Sequence, residues 1–176
     1  KGAILFIHGL GARSNVYLTL ADEFSKNGYI IYLLDIRGHG YSHGVRGHMP
    51  SSDAMGQDIH HFYEYVFSIE GSNQKYIAMG HSFGTNIWIN TLASIDIDID
   101  ALVLISGGNV NFLENNNGIE KGRSLTHINK SKAFFSIFNH NLKPIRIVFP
   151  DIQQFKQSGF VQDYGFSFFS MFRDYE

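Results

Sequence analysis

The feature that most limits the fold is an alternation of short apolar runs with helical periodicity over residues 1–108. The apolar runs are Ala3 to Ile7, Tyr29 to Leu34, Lys75 to Met79 and Ala101 to Ile105. Continuous apolar runs of this length are typical of strands that are buried on both faces. The alternation predicts an α/β fold in which helices flank a mostly parallel sheet and right-handed crossovers join the strands.

The segments between the runs carry helix signals. The first predicted helix has Tyr17, Leu20 and Phe24 at helical spacing and ends before Gly28. The second is capped by Ser51 or Ser52 and has an apolar stripe of Met55, Ile59, Phe62 and Val66. The third runs from Thr85 to Ala93. Polar or glycine-rich loops follow each strand, at His8, Asp35, Ser82 and Ser106. Because ligands of parallel sheets bind beyond the carboxyl ends of strands, we expect the site there.

Composition excludes several classes of protein. The 176 residues predict one domain, and 14 basic against 16 acidic residues leave no excess charge to hold a nucleic acid. No apolar run approaches the ~20 residues of a membrane span, so we expect no span. We separately expect a cytoplasmic location. The sequence has no Cys, which excludes thiol catalysis and thiolate metal sites. No phosphate-binding glycine loop of a known type is present, so we predict no cofactor.

The motif that carries chemistry is Gly80-His81-Ser82-Phe83-Gly84, which matches Gly-Xaa-Ser-Xaa-Gly. It follows a predicted strand and opens a predicted helix, as a nucleophile elbow requires. Small residues must flank the serine in such a tight turn, and Gly80 and Gly84 meet that requirement. The position at a helix N-terminus also favours developing negative charge. We therefore predict that Ser82 is a catalytic nucleophile.

Acyl transfer to a serine also needs two donors for the oxyanion. One is predicted to be the amide of Phe83, the residue after the nucleophile, and the other comes from the loop after an earlier strand. His8-Gly9-Leu10-Gly11 is that loop, and its two glycines allow the backbone to approach closely. We predict the amide of Leu10 as the second donor. We interpret His8 as a packed loop histidine rather than as the base.

Together these segments resemble the α/β-hydrolase superfamily. The matching segments are His8-Gly9, Asp35 to Ser42, Gly80 to Gly84 and Leu102 to Ser106. The stretch from Tyr41 to His48, followed by Asp53 and Asp58, is similar to the monoacylglycerol lipase and lysophospholipase branch. The resemblance covers residues 1–108. It implies hydrolysis of carboxylic esters through an acyl-enzyme at Ser82, on a small ester or lipid substrate.

The resemblance also implies that the stretch from Asp35 to Ser42 is structural, with Arg37 and His39 bracing the loop. An alternative is that His39, His43 and His48 bind a metal, but no carboxylate pattern accompanies them, so we predict no metal site. His60 and His61 lie side by side on a helix and therefore point in different directions.

The acid and the histidine of a triad are not evident. The superfamily places them after Ser82 in the order acid, then His. Asp151 follows Val148 to Pro150, but Pro150 and the Gln-rich continuation are typical of a cap. Asp163 and Asp174 lack a preceding buried strand, and His127 and His140 come before these acids. Asp100 or Glu114 with His140 would keep the order. We favour a chain that is cut at both ends, with the acid and the His in about two further strand–helix units beyond residue 176. Such a chain would expose apolar surface at a sheet edge.

Residues 109–176 break the alternation and are predicted to form a cap or lid inserted over the active edge of the sheet. They contain 13 of the 26 aromatic residues, which favours an acyl chain in the substrate, although the same residues could serve only to pack the cap. Lys143 to Pro150 reads as a poor central strand because Pro stands near both ends. A peptidase or acyltransferase, and a catalytically inactive binding protein, remain alternatives. Transient contact with a lipid surface is compatible with the predicted substrate, and residue types do not indicate the oligomeric state.

Overall fold

The computed structural model of the chain describes residues 1–51, 53–107, 126–136, 139, 142–143, 145–147 and 163–164. Four strands form one parallel sheet in the order β2-β1-β3-β4. They are β1 (Ala3–Ile7), β2 (Ile30–Leu34), β3 (Tyr76–His81) and β4 (Ala101–Ile105). The predicted parallel α/β sheet with flanking helices is confirmed.

Three helices cover the two faces of this sheet. They are α1 (Leu18–Lys26), which follows a 3-10 turn at Ser14–Tyr17, α2 (Ala54–Glu70) and α3 (Phe83–Ser94). Ile4 and Phe6 of β1 pack towards α1, whereas Ala3, Leu5 and Ile7 pack towards α2 and α3. Since all five residues of β1 are buried, this strand lies at the centre of the core, as its apolar run predicts.

Two boundaries differ from the sequence-based predictions. The prediction that Ser51 or Ser52 caps α2 is wrong: Asp53 holds the N-cap position, because the chain already turns where the Ser51 carbonyl accepts the Ala54 N–H. Strand β3 runs two residues further than predicted, since Gly80 and His81 keep their pairing with β4. Helix α3 then begins at Phe83. Ser82 alone is the junction between them.

A second, antiparallel sheet has the order β5-β6-β7. Its strands are β5 (Thr126–Ile128), β6 (Ile145–Ile147) and β7 (Asp163–Tyr164), and α4 (Lys130–Phe135) follows β5. The expectation of a poor central strand here is wrong, because β6 pairs on both sides. The strand is only three residues long and contains neither of the prolines on which the expectation rested. The division at residue 108 stays a prediction.

The outer strand β4 of the parallel sheet exposes apolar side chains. Leu102 and Leu104 are 41% and 46% exposed, and Ile30 at the start of β2 is 42% exposed. Within the described part of the chain, no helix is long and apolar enough to cross a membrane.

Candidate active site

Ser82 lies between the last residue of β3 and the first residue of α3. Its backbone has φ 52° and ψ −115°, a conformation that a residue with a Cβ rarely adopts. Such strain persists only where the surroundings impose it, and it is concentrated at functional sites. The strand, the strained serine and the following helix have the backbone geometry of the nucleophile elbow that the sequence predicts, and we call this segment the elbow.

The glycines at both ends of the motif have no room for a side chain. A Cβ on Gly80 would lie 2.5 Å from the carbonyl carbon of Gly84, and a Cβ on Gly84 would overlap the carbonyl oxygen of Ile7. In both cases the obstacle is backbone, which cannot move aside cheaply. The spacing of the glycines around Ser82 is therefore fixed by close contact between β1, β3 and α3.

Hydrogen bonds hold the elbow against β4. The Ser82 N–H donates to the Ile105 carbonyl at 2.8 Å, and the Thr85 hydroxyl donates to the Ser82 carbonyl at 2.6 Å. Among the described residues, Ser82 and Ser106 are the two non-glycine residues with positive φ. Ser106 follows β4 directly and has φ 50°. A Cβ on Gly107 would lie 2.5 Å from the Thr85 hydroxyl oxygen. The ends of β3 and β4 thus make one tightly packed corner.

The loop after β1 makes a turn beside the elbow. The Ala12 N–H donates to the Gly9 carbonyl at 3.1 Å, and Gly11 has φ 76°, as the third residue of a type II turn requires. Leu10 therefore occupies the second position of this turn, which we call the oxyanion turn (Gly9–Ala12). A Cβ on Gly9 would lie 3.4 Å from the Ser82 Cβ, so the turn and the nucleophile are neighbours.

Tyr17 links the oxyanion turn to the elbow. Its hydroxyl accepts the Gly9 N–H at 3.1 Å and lies 2.8 Å from Nδ1 of His81. The phenol oxygen has one hydrogen and two lone pairs, so it can accept the Gly9 N–H and either donate to Nδ1 or accept from it, according to the tautomer of His81. Burial lowers the pKa of His81 and so favours a neutral ring. The residue before Ser82 is therefore joined to the turn through Tyr17.

His8 is buried with both ring nitrogens occupied. Nε2 accepts the Ile36 N–H at 3.2 Å, so Nδ1 carries the hydrogen and donates it to the Gly9 carbonyl at 2.8 Å. Burial lowers the pKa of His8, against smaller opposing effects of the Gly9 carbonyl and Asp35. This geometry agrees with a packed loop histidine and leaves no nitrogen for a proton from Ser82.

The loop after β2 is braced as expected. The Asp35 carboxylate accepts the N–H groups of Ser14 and Tyr41 at 2.5 and 2.9 Å. Burial acts to raise the pKa of Asp35, but these hydrogen bonds outweigh it and the pKa is lowered. The Arg37 guanidinium makes a bidentate ion pair with Asp58 of α2, at 2.7 and 2.6 Å. The loop thus joins the start of α2 to the oxyanion turn.

His39 lies in the same loop and is also buried. Nδ1 lies 3.1 Å from the Arg37 carbonyl and must donate to it, so Nε2 accepts from the Tyr164 hydroxyl at 3.1 Å. Burial, with a smaller contribution from His8, lowers the pKa of His39 to about 3. A neutral ring held in this way cannot be a ligand in the alternative metal site. Among the described residues, no three His, Asp or Glu side chains are grouped closely enough to hold a metal ion.

The structure removes one of the alternatives for the catalytic acid. The Asp100 carboxylate accepts the Tyr76 N–H at 2.7 Å, at the beginning of β3. Six residues separate Tyr76 from Ser82, a span of roughly 20 Å in a strand, so Asp100 lies at the opposite end of the sheet. Glu114, His140, Asp151 and Asp174 lie outside the described residues. His127 is in β5 and Asp163 is in β7.

A cavity of about 370 Å³ lies between the end of β2, the following loop and α2. Arg37, Asp58 and His61 are among its lining residues, and the elbow is not. This cavity is therefore separate from the elbow.

Comparison with known proteins agrees with this geometry. Residues 1–134 match the family described as serine aminopeptidase, S33. The chain is an α/β hydrolase of this family. A monoacylglycerol lipase of Mycolicibacterium smegmatis is 31% identical to this hydrolase over 117 residues, which cover 63% of the chain and 39% of the lipase. A monoglyceride lipase of Saccharomyces cerevisiae is 30% identical over 92 residues, covering 51% of the chain and 29% of the lipase. The chain therefore spans well under half of these relatives.

The fold is also found in solved structures. The monoacylglycerol lipase of Paleococcus ferrophilus superposes with a TM-score of 0.53 and 23% identity, covering 82% of this hydrolase and 60% of that chain. At this identity the superposition shows the fold alone. The family match and the two lipase relatives agree with the monoacylglycerol lipase-like branch that the sequence resembles.

Sequence reasoning missed two tyrosines of the site. Tyr17 reads as part of a helix stripe, but its hydroxyl joins Gly9 to His81. Tyr164 lies in the aromatic-rich segment with no local feature that distinguishes it from its neighbours. The partners of both are distant in sequence, 64 residues from Tyr17 to His81 and 125 from His39 to Tyr164.

Proposed function

We propose that this hydrolase cleaves carboxylic esters through an acyl-enzyme formed on Ser82. The observation that carries the proposal is the strained backbone of Ser82 between β3 and α3, enforced by glycines that have no room for a side chain. The strain presents the hydroxyl at the carboxyl edge of the sheet, at the beginning of a helix. Backbone strain of this kind is concentrated at functional sites.

In the proposed reaction the Ser82 Oγ attacks the ester carbonyl while a base accepts its proton. The carbonyl oxygen becomes an oxyanion, which the amides of Phe83 and Leu10 would stabilise. Collapse of this intermediate breaks the bond to the alcohol, which leaves with the proton from the base. Water then attacks the acyl-enzyme in the same way, releasing the carboxylic acid and restoring Ser82.

The base and the acid of the triad are proposed to lie outside the described residues. Of the described histidines that touch the site, His8 and His39 have both ring nitrogens engaged, and His81 directs Nδ1 to Tyr17. A nucleophile without a base retains only the contribution of the oxyanion donors and of substrate binding. The proposal therefore makes the activity of this chain depend on residues that the structure does not describe.

The substrate is proposed to be an ester with an acyl chain, such as a monoacylglycerol or a lysophospholipid. Two relatives bear monoacylglycerol lipase names, and residues 109–176, proposed to form a cap, are rich in Phe. A second candidate is a serine peptidase, which the description of the matched family favours. Both use the same nucleophile and differ in the leaving group, an alcohol or an amine.

The test is reaction with a fluorophosphonate probe, with the adduct located by intact mass and peptide mapping. The 176-residue chain and the full-length product of its gene are treated in parallel, with Ser82→Ala as the control. We expect an adduct on Ser82 in the longer protein and none in the variant. An adduct on the 176-residue chain itself would place the base among its own undescribed residues. A folded protein without any adduct in both forms would refute the proposal and leave a binding protein.

Hydrolysis assays then separate the substrates. Monoacylglycerol, lysophospholipid and an aminoacyl p-nitroanilide are compared at equal concentration, again with Ser82→Ala. Faster release from the esters is expected. Release from the anilide alone would replace the esterase proposal with the peptidase.

A further inference from the structure

Gly9 is the residue of the oxyanion turn that meets the elbow. A Cβ at this position would lie 3.1 Å from Nδ1 of His81 and 3.4 Å from the Cβ of Ser82, and the first of these distances is tighter than ordinary van der Waals contact. The close approach of the turn to the nucleophile therefore favours glycine. Glycine also has the widest choice of backbone conformations, so a residue chosen for its size is one that needs to be held in place.

The peptide group between Gly9 and Leu10 decides where the predicted oxyanion donor points. Its carbonyl accepts hydrogen bonds from Nδ1 of His8 at 2.8 Å and from the Ala12 N–H at 3.1 Å. Because the peptide group is planar and trans, its N–H, which is the Leu10 amide, points away from those two donors. Any rotation about the backbone bonds of Gly9 would turn this N–H as well.

The carbonyl side of Gly9 is anchored in the loop after β2. Nε2 of His8, the side chain that holds the carbonyl, accepts the Ile36 N–H at 3.2 Å. The same loop packs backbone against backbone on β7, because a Cβ on Gly47 would overlap the carbonyl oxygen of Asp163. Gly47 has φ 68°, so glycine suits this position in conformation and in size. These contacts restrain the carbonyl of Gly9 but not its N–H.

The N–H side of Gly9 is anchored on the elbow through Tyr17. The phenol oxygen accepts the Gly9 N–H at 3.1 Å and lies 2.8 Å from Nδ1 of His81. The ring itself packs on Phe6 of β1, with the two ring centroids 4.5 Å apart, so the hydroxyl is carried by a side chain that is fixed in the core. In either tautomer of His81 the phenol oxygen keeps a lone pair for the Gly9 N–H.

We propose that Tyr17 is a positioning residue for the hydrolytic reaction, whose hydroxyl fixes the backbone of Gly9 and thereby directs the Leu10 amide at the substrate carbonyl. The inference rests on the proposed function. Since the same hydroxyl is joined to His81, the residue before Ser82, one phenol sets the position of the turn relative to the nucleophile. Tyr17 acts through the backbone of Gly9 and not on the substrate.

The test is Tyr17→Phe in the full-length protein, with Tyr76→Phe as the matched control. Tyr76 donates its hydroxyl to a backbone carbonyl, that of Gly71, at 2.7 Å. It is the first residue of β3, at the end of the sheet away from Ser82. Each variant loses one phenol hydroxyl that has a backbone partner, so we expect similar losses of stability and different effects on the reaction.

The kcat for p-nitrophenyl butyrate should fall about tenfold in Tyr17→Phe with KM within about twofold, a smaller loss than the roughly 10²–10³-fold for removal of an oxyanion donor. Inhibition by an alkyl trifluoromethyl ketone, which forms a hemiketal oxyanion on a catalytic serine, should weaken by about the same factor. Tyr76→Phe should match the wild type in both measurements. In an active enzyme, an equal kcat in the two variants, or a lower kcat in Tyr17→Phe with unchanged inhibition, would overturn the positioning role.

A further measurement does not depend on activity. Exchange of the Gly9 amide hydrogen, followed by NMR, should be slow in the wild type and about tenfold faster in Tyr17→Phe, as the loss of one hydrogen bond implies. It should be unchanged in Tyr76→Phe. Equal exchange in the two variants would overturn the positioning role even if Tyr17→Phe gave an inactive protein. A wild type that protects the Gly9 amide but does not react with the fluorophosphonate would count against the proposed function alone.

Discussion

The elbow at Ser82 and the oxyanion turn lie against each other but are held in place in different ways. At the elbow, backbone meets backbone, and Gly80 and Gly84 are needed because any Cβ would overlap a neighbouring strand or helix. At the oxyanion turn, hydrogen bonds from the side chains of His8 and Tyr17 hold the carbonyl and the N–H of Gly9.

This difference means that the two regions should fail in different ways. Steric fit is lost at once when a single methyl group is added, and it does not depend on pH. Hydrogen bonds from buried imidazoles and phenols are lost one at a time, and those of the imidazoles depend on protonation. The following experiments separate the two kinds of support.

The largest effect is expected from Gly84→Ala. The new methyl group would overlap the Ile7 carbonyl, and we expect a loss of about 3 kcal/mol in the free energy of unfolding. Gly56→Ala is the control, because Gly56 is also helical but its nearest neighbour is the end of the flexible Ile95 side chain. Better helix propensity should keep that variant within about 1 kcal/mol of the wild type. Equal losses in urea denaturation would show that contact does not determine the elbow.

Acid should act on the hydrogen-bonded loops before it acts on the elbow. His39 has a pKa of about 3 when folded against 6.5 in a free chain, so below pH 6.5 the unfolded chain binds a proton that the folded protein refuses. Stability should therefore fall with pH, by about 1.4 kcal/mol per pH unit for this group, or about 2 kcal/mol from pH 8 to pH 5. His8, whose pKa is also lowered, should add to the slope.

The check is urea denaturation at several pH values for the wild type and for His39→Gln. The His39→Gln variant should be less stable than the wild type at pH 8. Its free energy of unfolding should fall less steeply as the pH is lowered, by the contribution of one bound proton. Asp35 does not enter this window, because its lowered pKa keeps it ionised until well below pH 5. If stability depends on pH equally steeply in the two proteins, His39 titrates normally. The hydrogen bonds assigned to its ring would then be wrong.

Ser82→Gly should separate strain from chemistry. Glycine accepts φ 52° without cost. We therefore expect the free energy of unfolding of Ser82→Gly to be about 1 kcal/mol higher than that of Ser82→Ala. Neither variant should react with the fluorophosphonate. Thermal unfolding of both proteins at one pH gives the comparison. A glycine variant less stable than the alanine variant would show that the serine backbone is relaxed.

The smallest effect is expected at the Arg37–Asp58 ion pair. Both side chains are partly exposed, at 36% and 26%, so solvent screens their attraction. A double-mutant cycle with Arg37→Met and Asp58→Asn should give a coupling of about 0.5–1 kcal/mol, smaller in 1 M NaCl. A coupling energy above that range would show that the Arg37–Asp58 pair stabilises the loop after β2 more than its exposure to solvent indicates.

The parts of the molecule that the sequence predicts well depend on neighbouring residues. The four strands and three helices of the parallel layer follow from apolar runs and periodicity, and the elbow follows from two glycines spaced around one serine. The errors are local as well. Three consecutive residues, two serines and Asp53, are all suitable N-caps for α2. The turn between Ser51 and Ala54 places Asp53 in that position.

The support of the oxyanion turn and of the loop after β2 was beyond prediction because the residues involved are far apart in sequence. Nothing near Tyr17 indicates that its hydroxyl serves Gly9 and His81 rather than water. Tyr164 is one aromatic residue among many, and only the packing of β7 against Gly47 brings it to His39. The antiparallel sheet was missed for a related reason, since strands of two or three residues carry too few side chains for a pattern.

The backbone contact between Gly47 and Asp163 has a consequence for protein engineering. Substrate preference in hydrolases of this kind is an obvious target for grafting one enzyme's covering segment onto another's sheet. A graft that brings β7 to a loop without a glycine at this position would push the strand outwards. Gly47 and Tyr164 should therefore be transplanted as one unit, with His39 retained as the acceptor for the Tyr164 hydroxyl.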